Sequence, residues 1–80
     1  MLKIYGSMLC PDCVRCLEDL DRAGTAYEYL DFSESLKYLK EFLVHREAEV
    51  FADIRAEGRI GIPCILREDG SITFDWEEFM

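Results

Sequence analysis

The sequence predicts an α/β domain, and three observations carry that prediction. A short apolar strand, an amphipathic helix and a second strand open the chain, in the order of a parallel crossover unit. A helical apolar stripe fills its middle. Two apolar runs joined through Asp69-Gly70 close it, which is a hairpin signal.

Leu2 to Gly6 reads as the first strand, ended by the Gly6-Ser7 break. A helix follows from Pro11 to Ala23 and stops at Gly24. At about 100° per residue, Cys13, Leu17 and Leu20 share one face of it, with Cys16 and Ala23 on the flank. Arg15, Glu18, Asp19 and Arg22 then face water. The aromatic-rich segment Ala26 to Phe32 is the second strand. Ser33 is a suitable cap for the next helix, whose stripe runs through Leu36, Leu39, Leu43, Val50 and Ile54 to Gly58. That length predicts a bend between Arg46 and Glu49. Ile62 to Leu66 and Ser71 to Phe74 pair across the Asp69-Gly70 turn, with Arg67-Glu68 lengthening the loop. Asp75 caps a last turn from Trp76 to Phe79, and Trp76 is expected to cover the hairpin.

Eighty residues make one domain, 1-80, with a small core. Seventeen Asp and Glu against nine Lys and Arg give a net charge of -8. Nucleic acid and anionic membrane surfaces are therefore excluded as partners, because phosphate binding requires cationic contacts. No apolar run approaches the ~20 residues of a membrane span, and the N-terminus lacks the pattern of a secretory signal. Three of the four cysteines fall within seven residues, which points to dithiol or metal chemistry in a reducing cytoplasm rather than a disulfide scaffold.

Cys10-Pro11-Asp12-Cys13 sits where the first strand gives way to the first helix. A cysteine at a helix N-terminus meets free N–H groups and the positive end of the helix dipole, both of which favour a thiolate. A second cysteine one turn on can attack a mixed disulfide formed by the first. Pro11 suits the first helical position, where its missing N–H has no partner to lose. Asp12 works the other way, since a carboxylate in that turn repels a neighbouring thiolate; Arg15 offsets it if the side chain folds back.

The cysteine pair and Gly61-Ile62-Pro63-Cys64, about fifty residues apart, both fall on predicted element starts. Together with the order of elements they resemble the glutaredoxin branch of the thioredoxin fold, over nearly the whole chain. The chain looks like a divergent bacterial glutaredoxin-related protein. The resemblance implies a four-stranded mixed sheet with flanking helices and a thiol-disulfide oxidoreductase with no bound organic cofactor. It casts Cys10 as nucleophile, Cys13 as resolving thiol and Pro63 as a cis-proline beside them. Pro11, Asp12, Ile62 and Pro63 would contact the substrate, with the Ile62 backbone pairing to an extended thiol. That substrate is a disulfide-bearing protein or a low-molecular-weight thiol, and glutathione or a flavin thiol reductase would return the electrons.

Departures from the family bear on glutathione. Ser7 stands where glutaredoxins commonly carry a Lys, and Ile72-Thr73-Phe74-Asp75-Trp76 replaces their Gly-Gly-x-Asp stretch. Asp12 stands where an aromatic is common, and the final helix is cut short. Arg55 and Arg59 are the candidate replacement cations.

Two other readings stay open. One is a thiolate metal-binding or sensing module built from Cys10, Cys13 and Cys16 or Cys64. An iron–sulfur run is not completed, because Leu20 occupies the fourth cysteine position. The other is a redox-inert interaction domain. Cys16 and Cys64 read as core residues, Cys64 pointing away from the dithiol, and His45 as a surface or half-buried residue.

Overall fold

The computed structural model describes residues 1–80. The strands are β1 (Leu2–Gly6), β2 (Tyr27–Asp31), β3 (Cys64–Leu66) and β4 (Ile72–Thr73). The helices are α1 (Pro11–Ala23), α2 (Leu36–His45) and α3 (Ala52–Ala56), with 3-10 turns at Glu49–Phe51 and Trp76–Phe79. The strands form one mixed sheet in the order β2-β1-β3-β4. β1 pairs parallel to β2, as a crossover through α1 requires, and antiparallel to β3, which turns back into β4.

Strand periodicity divides the core in two. Ile4 and Ile65 lie opposite each other and face Cys16 and Leu20 of α1. Tyr5 and Cys64, the next pair along, face the other side, where Phe42, Phe51 and Ile54 close the second core. Both faces of β1 are thus covered, so the strand is apolar almost throughout rather than alternating.

The long helical stripe breaks where its length requires. The chain leaves the α2 helix after His45 and resumes as a 3-10 turn and α3. Arg55 closes the gap, giving Nη1–H to the carbonyl oxygens of Arg46 at 2.6 Å and Ala48 at 2.9 Å. The Arg46 carbonyl, at the end of α2, has no partner within that helix, whereas the Ala48 carbonyl also accepts from the Phe51 N–H at 3.0 Å. The buried face differs from the expected one: Phe42 and Phe51 are fully buried, while Leu36, Leu43 and Val50 are exposed. The aromatic rings take the core because they pack on each other. Phe42 stacks on Phe32 with centroids 5.0 Å apart, and Phe51 meets Phe74 edge-on at 5.0 Å.

Other expectations are corrected in detail. Ser35, not Ser33, caps α2, its hydroxyl accepting from the Tyr38 N–H at 3.4 Å. Ser33 is engaged two residues earlier, donating to Asp31 and accepting from Ser7. Strands β2, β3 and β4 are each shorter than the runs that announced them. Trp76 meets the hairpin through the cluster that holds Ile65 of β3. It packs on the core beneath α1 and donates its indole N–H to Asp19 at 2.9 Å, tying the C-terminal turn to that helix. No helix is long and apolar enough to cross a membrane.

Candidate functional site

The loop between β1 and α1 is fastened before it reaches the cysteines. Ser7 is buried; its hydroxyl accepts from the Leu9 N–H at 3.1 Å and donates to Ser33 at 3.0 Å. Asp31, at the end of β2, accepts from the Met8 N–H at 3.3 Å and from the Ser33 N–H at 2.9 Å. Burial pushes the Asp31 carboxyl up, but these bonds from Ser33 and Met8 outweigh it and hold the group below the usual carboxylate range. Ser7 is therefore a structural fastener for the loop.

Cys10 is the N-cap of α1 in extended conformation, and Pro11 is the first helical residue. The Cys10 carbonyl accepts from Val14 N–H at 3.2 Å, starting the helix. Cys10 is half-buried, whereas Cys13, one turn on, is fully buried; all four cysteines are free thiols. Burial pushes the Cys13 thiol up to about 12, the Ser7 backbone N–H pulls it down, and the adjacent Cys10 sulfur raises it again. The pair is asymmetric: one sulfur is accessible at a helix N-terminus and the other is protonated behind it.

Gly6 makes this arrangement possible. A Cβ on Gly6 would lie 2.7 Å from Cys13 Sγ and 3.1 Å from the Tyr29 hydroxyl oxygen. Its backbone dihedrals are ordinary for a strand, so close approach, not conformation, requires the glycine. Tyr29 Oη is the one buried side-chain polar atom in the protein without a hydrogen-bond partner.

Two shallow grooves lie at the start of α1, and Cys10 lines the first. The first, of about 400 Å³, is lined by Leu9, Phe32, Ile60 and Ile62 with Cys10 and the two serines. The other, of about 310 Å³, runs between Asp12, Arg59, Pro63, Phe74 and Trp76. Ile62 borders both. The Ile62–Pro63 peptide is cis, as the family resemblance implies, and Pro63 is buried. Met8, Leu9 and Ile60 leave an exposed apolar rim around the accessible sulfur.

The charged groups are mostly committed. Arg15 Nη1 lies 3.8 Å from Asp12 Oδ1, the expected fold-back, although both are exposed and the pair contributes little. Arg59 at the groove pairs with Glu57 at 2.7 Å. Arg55 is spent on the α2 end and does not reach the groove, which removes it as a substrate cation.

The four thiols do not converge. Cys16 belongs to the core under α1 and Cys64 to the core on the opposite face of the sheet. Burial pushes them up to about 11 and about 12, with Asp19 adding to the effect on Cys16. No three thiolate, imidazole or carboxylate groups gather at one point. His45 is half-buried against the Tyr5 ring at 5.4 Å and far from acting as a ligand partner.

Of the site residues expected from the sequence, Cys10 and Ile62 line the first groove and Asp12, Ile62 and Pro63 the second, while Pro11 starts α1 and Cys13 lies buried behind Cys10. Gly6, Ser7 and Tyr29 were not legible as site residues. A glycine inside an apolar strand was the available signal, because such glycines often mark a close approach.

No family model and no solved structure matches the chain. It is 34% identical over 73 residues to an uncharacterized protein of Haemophilus influenzae, a match spanning 90% of this chain and 85% of the other. The chain and that Haemophilus influenzae protein belong to one family.

Proposed function

We propose that this protein is a thiol-disulfide oxidoreductase of the thioredoxin fold, related to glutaredoxins, acting through Cys10 and Cys13. The observation that carries the reading is the asymmetry of the pair: a half-buried sulfur at a helix N-terminus, opening on an apolar groove, with a fully buried thiol one turn behind it.

In the first step the Cys10 thiolate attacks a substrate disulfide, R–S–S–R′. A Cys10–S–S–R bond forms, the substrate bond breaks, and R′–S⁻ leaves and takes a proton from water. In the second step Cys13 attacks the Cys10 sulfur. The Cys10–Cys13 bond forms, the bond to R breaks, and the Cys13 proton ends on the departing R–SH. Two electrons have passed to the substrate, and an external thiol or a flavin thiol reductase must restore the dithiol.

A polypeptide disulfide fits the groove better than glutathione. Leu9 and Ile60 at the Cys10 groove offer apolar contact, whereas Arg59, in the neighbouring groove, is paired with Glu57. The metal-module reading has less support, because neither Cys16 nor Cys64 joins Cys10 and Cys13 in a cluster of three metal-ligating groups.

A redox titration with alkylation and peptide mapping tests the proposal. Cys10 and Cys13 are expected to pair in one two-electron transition while Cys16 and Cys64 stay free, and Cys10→Ser is expected to abolish disulfide reduction. Full activity in Cys10→Ser would end the reading.

A further inference from the structure

The site holds one polar group that thiol exchange between Cys10 and Cys13 does not, as described, employ. The Tyr29 hydroxyl is buried, has no hydrogen-bond partner, and lies over Gly6 beside Cys13 Sγ. A buried donor left unmade is costly, typically about 1–3 kcal/mol, so its retention calls for a reason. Asp31 takes two Ser33 donors on Oδ1 and the Met8 N–H on Oδ2, and the Tyr29 hydroxyl does not reach it. The absence of a side chain on Gly6 leaves the space between hydroxyl and sulfur open.

We propose that the Tyr29 hydroxyl is the hydrogen-bond donor that receives the developing negative charge on Cys13 Sγ when this thiol resolves the mixed disulfide on Cys10. The inference rests on the oxidoreductase reading above. The Ser7 backbone also lowers the Cys13 thiol, so the Tyr29 hydroxyl would be a second donor to the same sulfur. In the reduced protein the hydroxyl makes no hydrogen bond to this sulfur; both groups border the space above Gly6, and a small approach brings them together. A thiolate accepts strongly. A buried hydroxyl with no other partner can turn to the thiolate without first breaking a hydrogen bond.

Tyr29 keeps its own proton throughout. Burial and the neighbouring Cys13, Asp31 and Cys10 all push the phenol above its ordinary range, so it donates and does not ionise. The groups facing Cys13 itself are Cys10, Cys16 and the Ser7 N–H together with Tyr29. The Cys13 proton leaves to the departing substrate sulfur, and the Tyr29 hydrogen bond lowers the cost of parting with it.

The test is stopped-flow reaction of the reduced protein with an aromatic disulfide whose released thiolate is coloured, such as dithiobis(nitrobenzoate). The first release reports attack by Cys10 and the second reports resolution by Cys13. In Tyr29→Phe the first phase is expected to match wild type. The second is expected to slow about tenfold or more, equivalent to ~1.4 kcal/mol of barrier per factor of ten, and its pH profile to move upward. Urea unfolding of the same variant keeps folding separate: losing an unpaired hydroxyl should leave stability equal or higher. A second phase with wild-type rate and pH profile overturns the role of Tyr29. A wild-type protein that shows no second phase, and in which Cys10 and Cys13 never pair, overturns the oxidoreductase reading instead.

Discussion

Replacing Gly6 by Ala tests the architecture of the site at its tightest point. Gly6 has no left-handed φ, so conformation alone would make alanine stabilising there by about 0.4–1 kcal/mol, through reduced freedom of the unfolded chain. The new methyl would, however, lie 2.7 Å from Cys13 Sγ and 3.1 Å from the Tyr29 hydroxyl, in a region with no exposed surface to yield into. Overpacking of this kind costs about 1–3 kcal/mol, which outweighs the entropic gain and sets the sign as destabilising. For a domain of this size each kcal/mol corresponds to roughly 4–8 °C in Tm, so differential scanning calorimetry resolves the effect. If the sulfur escapes by rotating about its Cα–Cβ bond, the cost is transferred to thiol exchange, and the second phase of dithiobis(nitrobenzoate) reduction slows. Deleting the sulfur should relieve the clash, so the Gly6→Ala penalty should shrink by more than ~0.5 kcal/mol in a Cys13→Ala background, beyond what independent sites show. Wild-type Tm together with wild-type exchange kinetics, or the same penalty with and without the sulfur, would refute the close approach.

Two further predictions concern the frame. Burial raises Cys13, Cys16 and Cys64 from 9.0 to about 12, 11 and 12, so the folded protein holds their protons where the unfolded chain would lose them. Their contribution to stability is therefore constant below pH 9 and is lost as pH rises toward 11–12, at up to ~1.4 kcal/mol per pH unit for each thiol. Cys64→Val, which keeps the apolar volume and removes one titration, should make the alkaline fall in urea midpoint shallower; an unchanged slope would contradict the burial argument. Arg55→Ala removes both donors to the Arg46 and Ala48 carbonyls and should cost about 1–2 kcal/mol in urea unfolding with thiol exchange unaltered. Slower exchange at unchanged stability would mean that Arg55 contacts substrate.

The elements were legible wherever a local signal was strong. Pro11 and Gly24 bracket α1, Asp69-Gly70 turns the hairpin, and the length of the middle stripe required a break, found after His45. Tertiary packing decided what local signals could not. Leu39 and Leu43 repeat as regularly as Tyr38 and Phe42, and only the rings of Phe32, Phe51 and Phe74 select which face turns inward. Ser33 and Ser35 are equally good caps by type; Ser33 is taken by Asp31 and Ser7, contacts brought together by strand pairing across 26 residues.

The same distinction governs the site. Cys10 and Cys13 announce themselves by spacing, because a helical turn places both at one end of one element. What makes them unequal comes from elsewhere in the chain. The roof over Cys13 is Gly6 of β1, its neighbouring hydroxyl is Tyr29 of β2, and the donor beside it is the Ser7 N–H. Parallel pairing of Ile4 with Tyr29 and Gly6 with Asp31 brings the second strand's residues to the end of the first, where α1 begins. A charged or hydrated pocket at that point would lower the burial that keeps Cys13 protonated, and an alanine at Gly6 would separate sulfur from hydroxyl. Gly6, Ser7 and Tyr29 thus set the surroundings of the buried thiol without contributing thiol chemistry of their own, and variation at these positions should change exchange kinetics more selectively than variation on the exposed rim.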